Sequence, residues 1–135
     1  MIQIFLDTGY ILALELANDQ NYQVAQQHWR RFAAAPPSLV TTSYVFDEVV
    51  TFFSNRGHHG KAVQVGNNLL ASAALKLIHV DEELFDAGWE YLQRHDDKRY
   101  SLTDCISFVL MERIGIATAY SFDHHFRQAG FQTEP

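Results

Sequence analysis

The chain has 135 residues, enough for one domain with a real core and too few for two ordinary ones. At 47% apolar and 13% aromatic residues it is not a disordered chain, and a net charge of -6 excludes a general nucleic-acid coat, whose binding depends on Lys and Arg neutralising phosphates. A nuclease stays open, because carboxylates gathered around divalent cations make a chain acidic by themselves. One cysteine, Cys105, cannot form an intrachain disulfide, so a reducing, cytoplasmic setting is expected. The first residues carry no basic leader, and no run of 18 apolar residues occurs, so neither a signal peptide nor a membrane span is expected.

Residues 2–7, Ile-Gln-Ile-Phe-Leu-Asp, read as a short buried parallel strand that stops abruptly at a carboxylate. Asp7 either caps a helix starting at about Thr8 or faces a ligand, since ligands in open α/β sheets sit outside the carboxyl ends of the strands. A short apolar helix over 10–16 follows, then an amphipathic helix over 22–35 bearing Trp29 and Phe32. Pro36-Pro37 forbids its continuation and leads into a strand at 39–41. Ser43 is the expected N-cap of a helix over 44–55, in which Glu48 flanks the apolar stripe while Asp47 points further towards solvent. Gly57-His58-His59-Gly60 reads as a turn rather than a metal loop, for no Cys or acid lies near it at ligand spacing.

A helix over 61–74 and a strand over 76–80 come next, and Asp81 caps a helix running to about His95. The charged loop Asp96-Asp97-Lys98-Arg99 precedes Ser101-Leu102-Thr103-Asp104, which opens the chain's most apolar helix, ending at Ile114 before Gly115. Ser-x-x-Asp loosely matches a capping box, a role compatible with holding metal. A strand over 116–120 then closes on Ser121 and Asp123, a short helix follows over 122–130, and Phe131-Gln132 can add an edge strand. Alternating strands and helices predict a three-layer α/β/α domain over 1–135 with a mainly parallel sheet of four to five strands.

On that scaffold Asp7 and Asp123 follow strand ends, Glu48 and Asp104 sit in the first turns of helices, and all four can point into one crevice. Four carboxylates without a counter-charge repel one another, so such a cluster requires cations. Oxygen ligands favour Mg²⁺ or Mn²⁺ over Zn²⁺. Neither a Gly-rich phosphate cradle nor a G-x-S-x-G elbow occurs, which shifts the expectation to metal-dependent phosphodiester hydrolysis.

Four segments carry a resemblance: Asp7-Thr8-Gly9-Tyr10, residues 42–48 (Thr-Ser-Tyr-Val-Phe-Asp-Glu), residues 101–108 (Ser-Leu-Thr-Asp-Cys-Ile-Ser-Phe) and residues 121–126 (Ser-Phe-Asp-His-His-Phe). In order and spacing they resemble the acidic motifs of PIN-domain ribonucleases, and among these the VapC-like toxins of toxin-antitoxin pairs. The resemblance implies an endoribonuclease in which Asp7, Glu48, Asp104 and Asp123 hold the metal and a metal-activated water attacks an RNA phosphodiester in line. It places hydroxyls at Thr8 and Ser121, and leaves Asp47 as the alternative to Glu48. Lys98, Arg99 and Arg127 are candidate phosphate contacts, and His124 and His125 could aid proton transfer. It also implies an antitoxin partner covering the crevice and a homodimer, for which the helix with Trp29 and Phe32 is a candidate surface, the alternative being that both face the core. A nuclease of RNA processing or decay, or a catalytically silent PIN-like module binding RNA or protein, are the alternatives.

Overall fold

Short apolar runs build one wholly parallel sheet in the computed structural model, which describes residues 2–135. Its strands are β1 (Gln3–Leu6), β2 (Ser38–Thr42), β3 (Leu75–Ile78), β4 (Thr118–Tyr120) and β5 (Gln132–Glu134), in spatial order β3-β2-β1-β4-β5. The two central strands, β1 and β2, carry the most buried side chains, among them Phe5, Leu39 and Val40, as expected of strands covered on both faces. Phe131 stands just before the last strand rather than opening it.

Helices α1 (Thr8–Glu15) and α2 (Tyr22–Arg30) connect β1 to β2, and α3 (Ser43–Asn55) and α4 (His59–Ala71) connect β2 to β3. The return from β3 to β4 runs through α5 (Glu82–Arg94) and α6 (Leu102–Ile114), and α7 (His125–Gln128) leads to β5. Right-handed crossovers moving outward from β1 to β3 put α1 to α4 on one face of the sheet. The crossover back to β4 puts α5 and α6 on the other. The packing agrees, with α1 against α2 and α3, α3 against α4, and α5 against α6. The expected three layers are therefore present, and the winding direction reverses between the neighbours β1 and β4. That reversal opens a crevice at the carboxyl ends of the two strands.

Local differences from the sequence reading have simple causes. Helix α2 stops at Arg30 rather than at Ala35, because the chain tightens into three-residue turns, Phe32 N–H to Trp29 C=O and Ala35 N–H to Phe32 C=O, before the two prolines. Thr42, not Ser43, caps α3: its Oγ1 accepts from the Val45 amide at 3.1 Å, while the Ser43 hydroxyl is taken by the Val80 amide at 2.9 Å. Trp29 and Phe32 are partly buried and pack on the core, the alternative expected of them. Trp29 walls a small apolar cavity of about 140 Å³, and Phe32 stacks on Tyr120. Among the described residues no helix is long and apolar enough to cross a membrane.

Candidate active site

Asp7 directly follows β1 and occupies the N-cap position of α1, yet its side chain makes no capping bond. Its Oδ2 instead accepts a hydrogen bond from Ser121 Oγ at 2.8 Å. Ser121 lies just past β4, across the switch point, so the two neighbouring strand ends are tied by a side-chain contact. Asp7 is only 6% exposed, and burial pushes its carboxyl up to about 7, with the charges of Asp104 and Asp123 adding to the rise and the Ser121 hydrogen bond opposing it.

Glu48 stands in the second turn of α3, one turn deeper than the sequence suggested, and its Oε1 accepts from Thr8 Oγ1 at 2.6 Å. Its pKa is raised, first by burial and then by Asp104, while the Thr8 bond pulls it down. Asp47 points elsewhere, accepting from Thr51 Oγ1 at 3.1 Å at the exposed surface, so the helical phase chooses Glu48 for the crevice.

Asp104 presents its carboxylate from the first turn of α6, and the capping box is real. Ser101 Oγ accepts from the Asp104 amide at 3.0 Å, and Asp104 Oδ2 accepts from the Ser101 amide at 3.3 Å. Burial again raises this carboxyl, and Asp123 adds to the rise. Asp123 is fixed from two sides, its amide donating to Ser121 Oγ at 3.0 Å and its Oδ1 accepting from the His125 amide at 2.9 Å.

Asp7, Glu48, Asp104 and Asp123 thus come from four separate segments and line one open cleft of about 420 Å³. Thr8 lines it as well; Ser121 sits behind Asp7 and reaches the cleft through it. Lys98, Arg99 and Arg127 do not line it. Lys98 is 3.4 Å from Asp97, and Arg127 donates to Thr133 at 2.9 Å.

His125 is the side chain whose position the sequence ranked too low. Its Nδ1 is buried without a hydrogen bond, 3.5 Å from Asp104 Oδ2 and 3.3 Å from Asp123 Oδ1. With Asp123 and His124 it makes the one group of three metal-ligand side chains within 4.8 Å among the described residues. His58 is the N-cap of α4 and His59 its first residue, so the helix begins two residues before the expected 61 and takes in part of the turn expected over 57–60. Gln20, Asn21 and Phe122 also line the cleft, and no periodicity in the sequence marks them.

The family model for the PIN domain matches residues 4–132. The chain belongs to the PIN-domain family. This PIN domain is 38% identical, over 128 residues and 95% of each chain, to the 23S rRNA-specific endonuclease VapC20 of Mycobacterium tuberculosis. The crystal structure of that protein, described as a Sarcin-Ricin loop cleaving toxin, superposes with a TM-score of 0.85 at 36% identity, again over 95% of both chains. VapBC2 from Rickettsia felis, bound to a DNA fragment from its promoter, shares the fold at a TM-score of 0.71 and 12% identity, over 99% of this chain and 98% of that one. A toxin-antitoxin complex from Klebsiella pneumoniae does so at 0.61 and 12%, over 90% and 87%.

Proposed function

We propose that this PIN domain is a metal-dependent endoribonuclease and the toxin of a toxin-antitoxin pair, one nuclease domain over residues 1–135. In this reading Asp7, Glu48, Asp104 and Asp123 hold Mg²⁺ or Mn²⁺. The observation that carries it is the convergence of four carboxylates in one cleft with no Lys or Arg in its lining. Three of them, Asp7, Glu48 and Asp104, are pushed towards protonation by burial and mutual repulsion, a situation that a divalent cation relieves. A set of hard oxygen donors fits Mg²⁺ or Mn²⁺ in particular.

The protein's own part is to hold those oxygens still. Ser121 orients Asp7, Thr8 orients Glu48, the Ser101 amide orients Asp104 and the His125 amide orients Asp123. Each carboxylate therefore arrives with one oxygen already fixed, which lowers the reorganisation needed when substrate enters. A bound divalent ion supplies a hydroxide-like nucleophile and charge neutralisation for phosphodiester hydrolysis. Thr8 and Ser121 then act on substrate only through the acids they orient. Lys98, Arg99 and Arg127 lie outside the cleft, where they suit phosphates flanking the reacting nucleotide.

Substrate RNA is assigned by the kinship with VapC20, whose own name specifies 23S rRNA. A toxin of this kind needs an antitoxin, and a crevice lined by acids suits a basic side chain from one. A homodimer belongs to the same reading, and light scattering of purified protein checks it. The deciding experiment compares RNA ends in cells after brief induction of wild type and Asp7→Asn, with purified protein assayed on 23S rRNA in Mn²⁺ and in EDTA. New ends with wild type alone, reproduced in vitro and abolished by EDTA, are expected. Cleavage that persists in EDTA or in Asp7→Asn would sink the assignment.

A further inference from the structure

Phe122 is the single aromatic residue lining the acidic cleft. It is half-buried and stacks at 20° against the Tyr10 ring, with centroids 6.0 Å apart. Tyr10 is fully buried and locked by Tyr120 and His28, so the Phe122 ring is braced from behind while its edge of exposed surface belongs to the cleft. On the same cleft lie two carboxamides from the loop between α1 and α2, Gln20 and Asn21. Asn21 occupies the N-cap position of α2, a place where Asn ordinarily spends its side chain on a backbone amide, and here it does not. Among the described residues neither side-chain carboxamide makes a hydrogen bond; the loop is held by backbone N–H groups, that of Asp19 on Leu16 C=O, that of Asn21 on Asp19 Oδ1 and that of Tyr22 on Asp19 C=O. The fold uses neither side chain.

We propose that Phe122, Gln20 and Asn21 form a nucleobase subsite, which takes an unstacked base of the substrate RNA beside the phosphate being cut. An aromatic face stacks any base, and a carboxamide offers a donor and an acceptor side by side, the pattern that reads a Watson–Crick edge. The inference has a second support in charge. With no Lys or Arg in the lining, no side-chain cation inside the cleft grips the phosphates of the reacting nucleotide, and base contacts add to the hold that a divalent ion gives on the phosphate. A paired stem exposes no free base, so the subsite selects loops and single strands. The inference rests on the endoribonuclease reading and names the part of the RNA that the site grips.

The test is a double-mutant cycle between protein and RNA in Mn²⁺. Wild type, Phe122→Leu, Phe122→Tyr and Asn21→Ala are assayed on a loop RNA and on the same RNA made abasic at each nucleotide flanking the cut. One abasic position is expected to raise the wild-type KM roughly tenfold, the scale of one lost stacked base. Phe122→Leu is expected to raise KM by a similar factor on the intact RNA, with kcat within about twofold, and to lose little more on the abasic RNA. Phe122→Tyr should restore wild-type KM. Asn21→Ala leaves the Phe122–Tyr10 stack in place, so it guards against a defect in that packing: it should raise KM on the intact RNA and not on the abasic one. Abasic penalties equal in wild type and in both variants would overturn the subsite while leaving the nuclease intact. Wild-type protein that does not cleave RNA at all, or cleaves it in EDTA, overturns the underlying reading first.

Discussion

Ser121 Oγ donates to Asp7 Oδ2 at 2.8 Å, joining side chains 114 residues apart at the point where the sheet reverses its winding. The bond stabilises a carboxylate whose burial opposes ionisation, and burial wins: Asp7 titrates at about 7 in the fold against 3.8 in the open chain. Between those values the folded metal-free protein holds a proton that the unfolded chain has lost. Stability through Asp7 therefore falls as pH rises from 3.8, and the loss is complete once pH passes about 7. Each tenfold gain in proton affinity corresponds to about 1.4 kcal/mol, so the effect is large on the scale of a domain's net stability. Asp7→Asn keeps an acceptor for Ser121 and cannot ionise. Urea unfolding in EDTA at pH 8 should find it more stable than wild type, with a flatter pH profile, while its RNA cleavage is lost. A variant less stable than wild type at pH 8 would show that Asp7 is not held under strain.

Thr8 plays for Glu48 the part that Ser121 plays for Asp7, at 2.6 Å. Thr8→Val removes the donor and preserves the shape, so Glu48 loses the hydrogen bond by which Thr8 lowers its pKa. A hydrogen bond to a charged group contributes about 1.5–3 kcal/mol, which predicts roughly a tenfold or greater fall in kcat/KM. The acid limb of the pH–rate profile should move up, because Glu48 would then ionise later. Thr8→Ser, which restores the hydroxyl, should recover most of the activity. Equal activity in Val and Ser variants would show that the bond is idle.

These two pairs also mark how far the sequence could be read. The acids themselves were legible, because Asp7 ends an apolar strand, Glu48 flanks an apolar helical stripe and Asp104 opens the most buried helix. Parallel topology followed from the alternation of strands and helices. Hydroxyl assignments were not legible at that level. Thr42 and Ser43 are adjacent and chemically alike, and only the approach of the Val80 amide decides which one caps α3. Nor does sequence spacing place His125 between Asp104 and Asp123, since α6 and the turn after β4 meet only in three dimensions. What covers Trp29 and Phe32 was not legible for the same reason: a helical stripe says which residues share a face and not whether another chain or the core covers it, and the fold packs both, partly buried, on the core.

Gly88 tests the platform under Asp104. It lies where α5 crosses α6, and a Cβ there would run into the Ile106 side chain and lie 3.2 Å from Ile106 Cα. Gly88→Ala gains helix propensity but overpacks the crossing, and overpacking typically costs 1–3 kcal/mol. At roughly 4 °C per kcal/mol for a chain of this size, a fall in Tm should be plain in calorimetry. Combined with Ile106→Ala, which removes the obstructing Cγ1, it should cost less than the sum of the two single changes. If Gly88→Ala raised Tm, the close approach of the two helices would be wrong.

His28 is 2% exposed with both ring nitrogens engaged, Nδ1 with the Tyr10 hydroxyl at 2.7 Å and Nε2 with Glu134 Oε1 at 2.9 Å. Glu134 can only accept when ionised, so Nε2 carries the proton and Nδ1 accepts from Tyr10, whose burial keeps it a donor by raising its pKa. The two ends of this chain differ in solvent access, because Glu134 is 49% exposed while Tyr10 is fully buried. Glu134→Ala lets water reach Nε2, and a hydrogen bond whose acceptor is so exposed contributes under about 1 kcal/mol. Tyr10→Phe leaves Nδ1 without a donor where water does not reach, a loss of about 1–3 kcal/mol. The neutral hydroxyl should therefore matter more than the charged carboxylate. Urea midpoints should rank wild type above Glu134→Ala and Glu134→Ala above Tyr10→Phe. The reverse order would mean that the proton sits on the other nitrogen or that the Glu134 hydrogen bond, rather than burial, governs this corner of the fold.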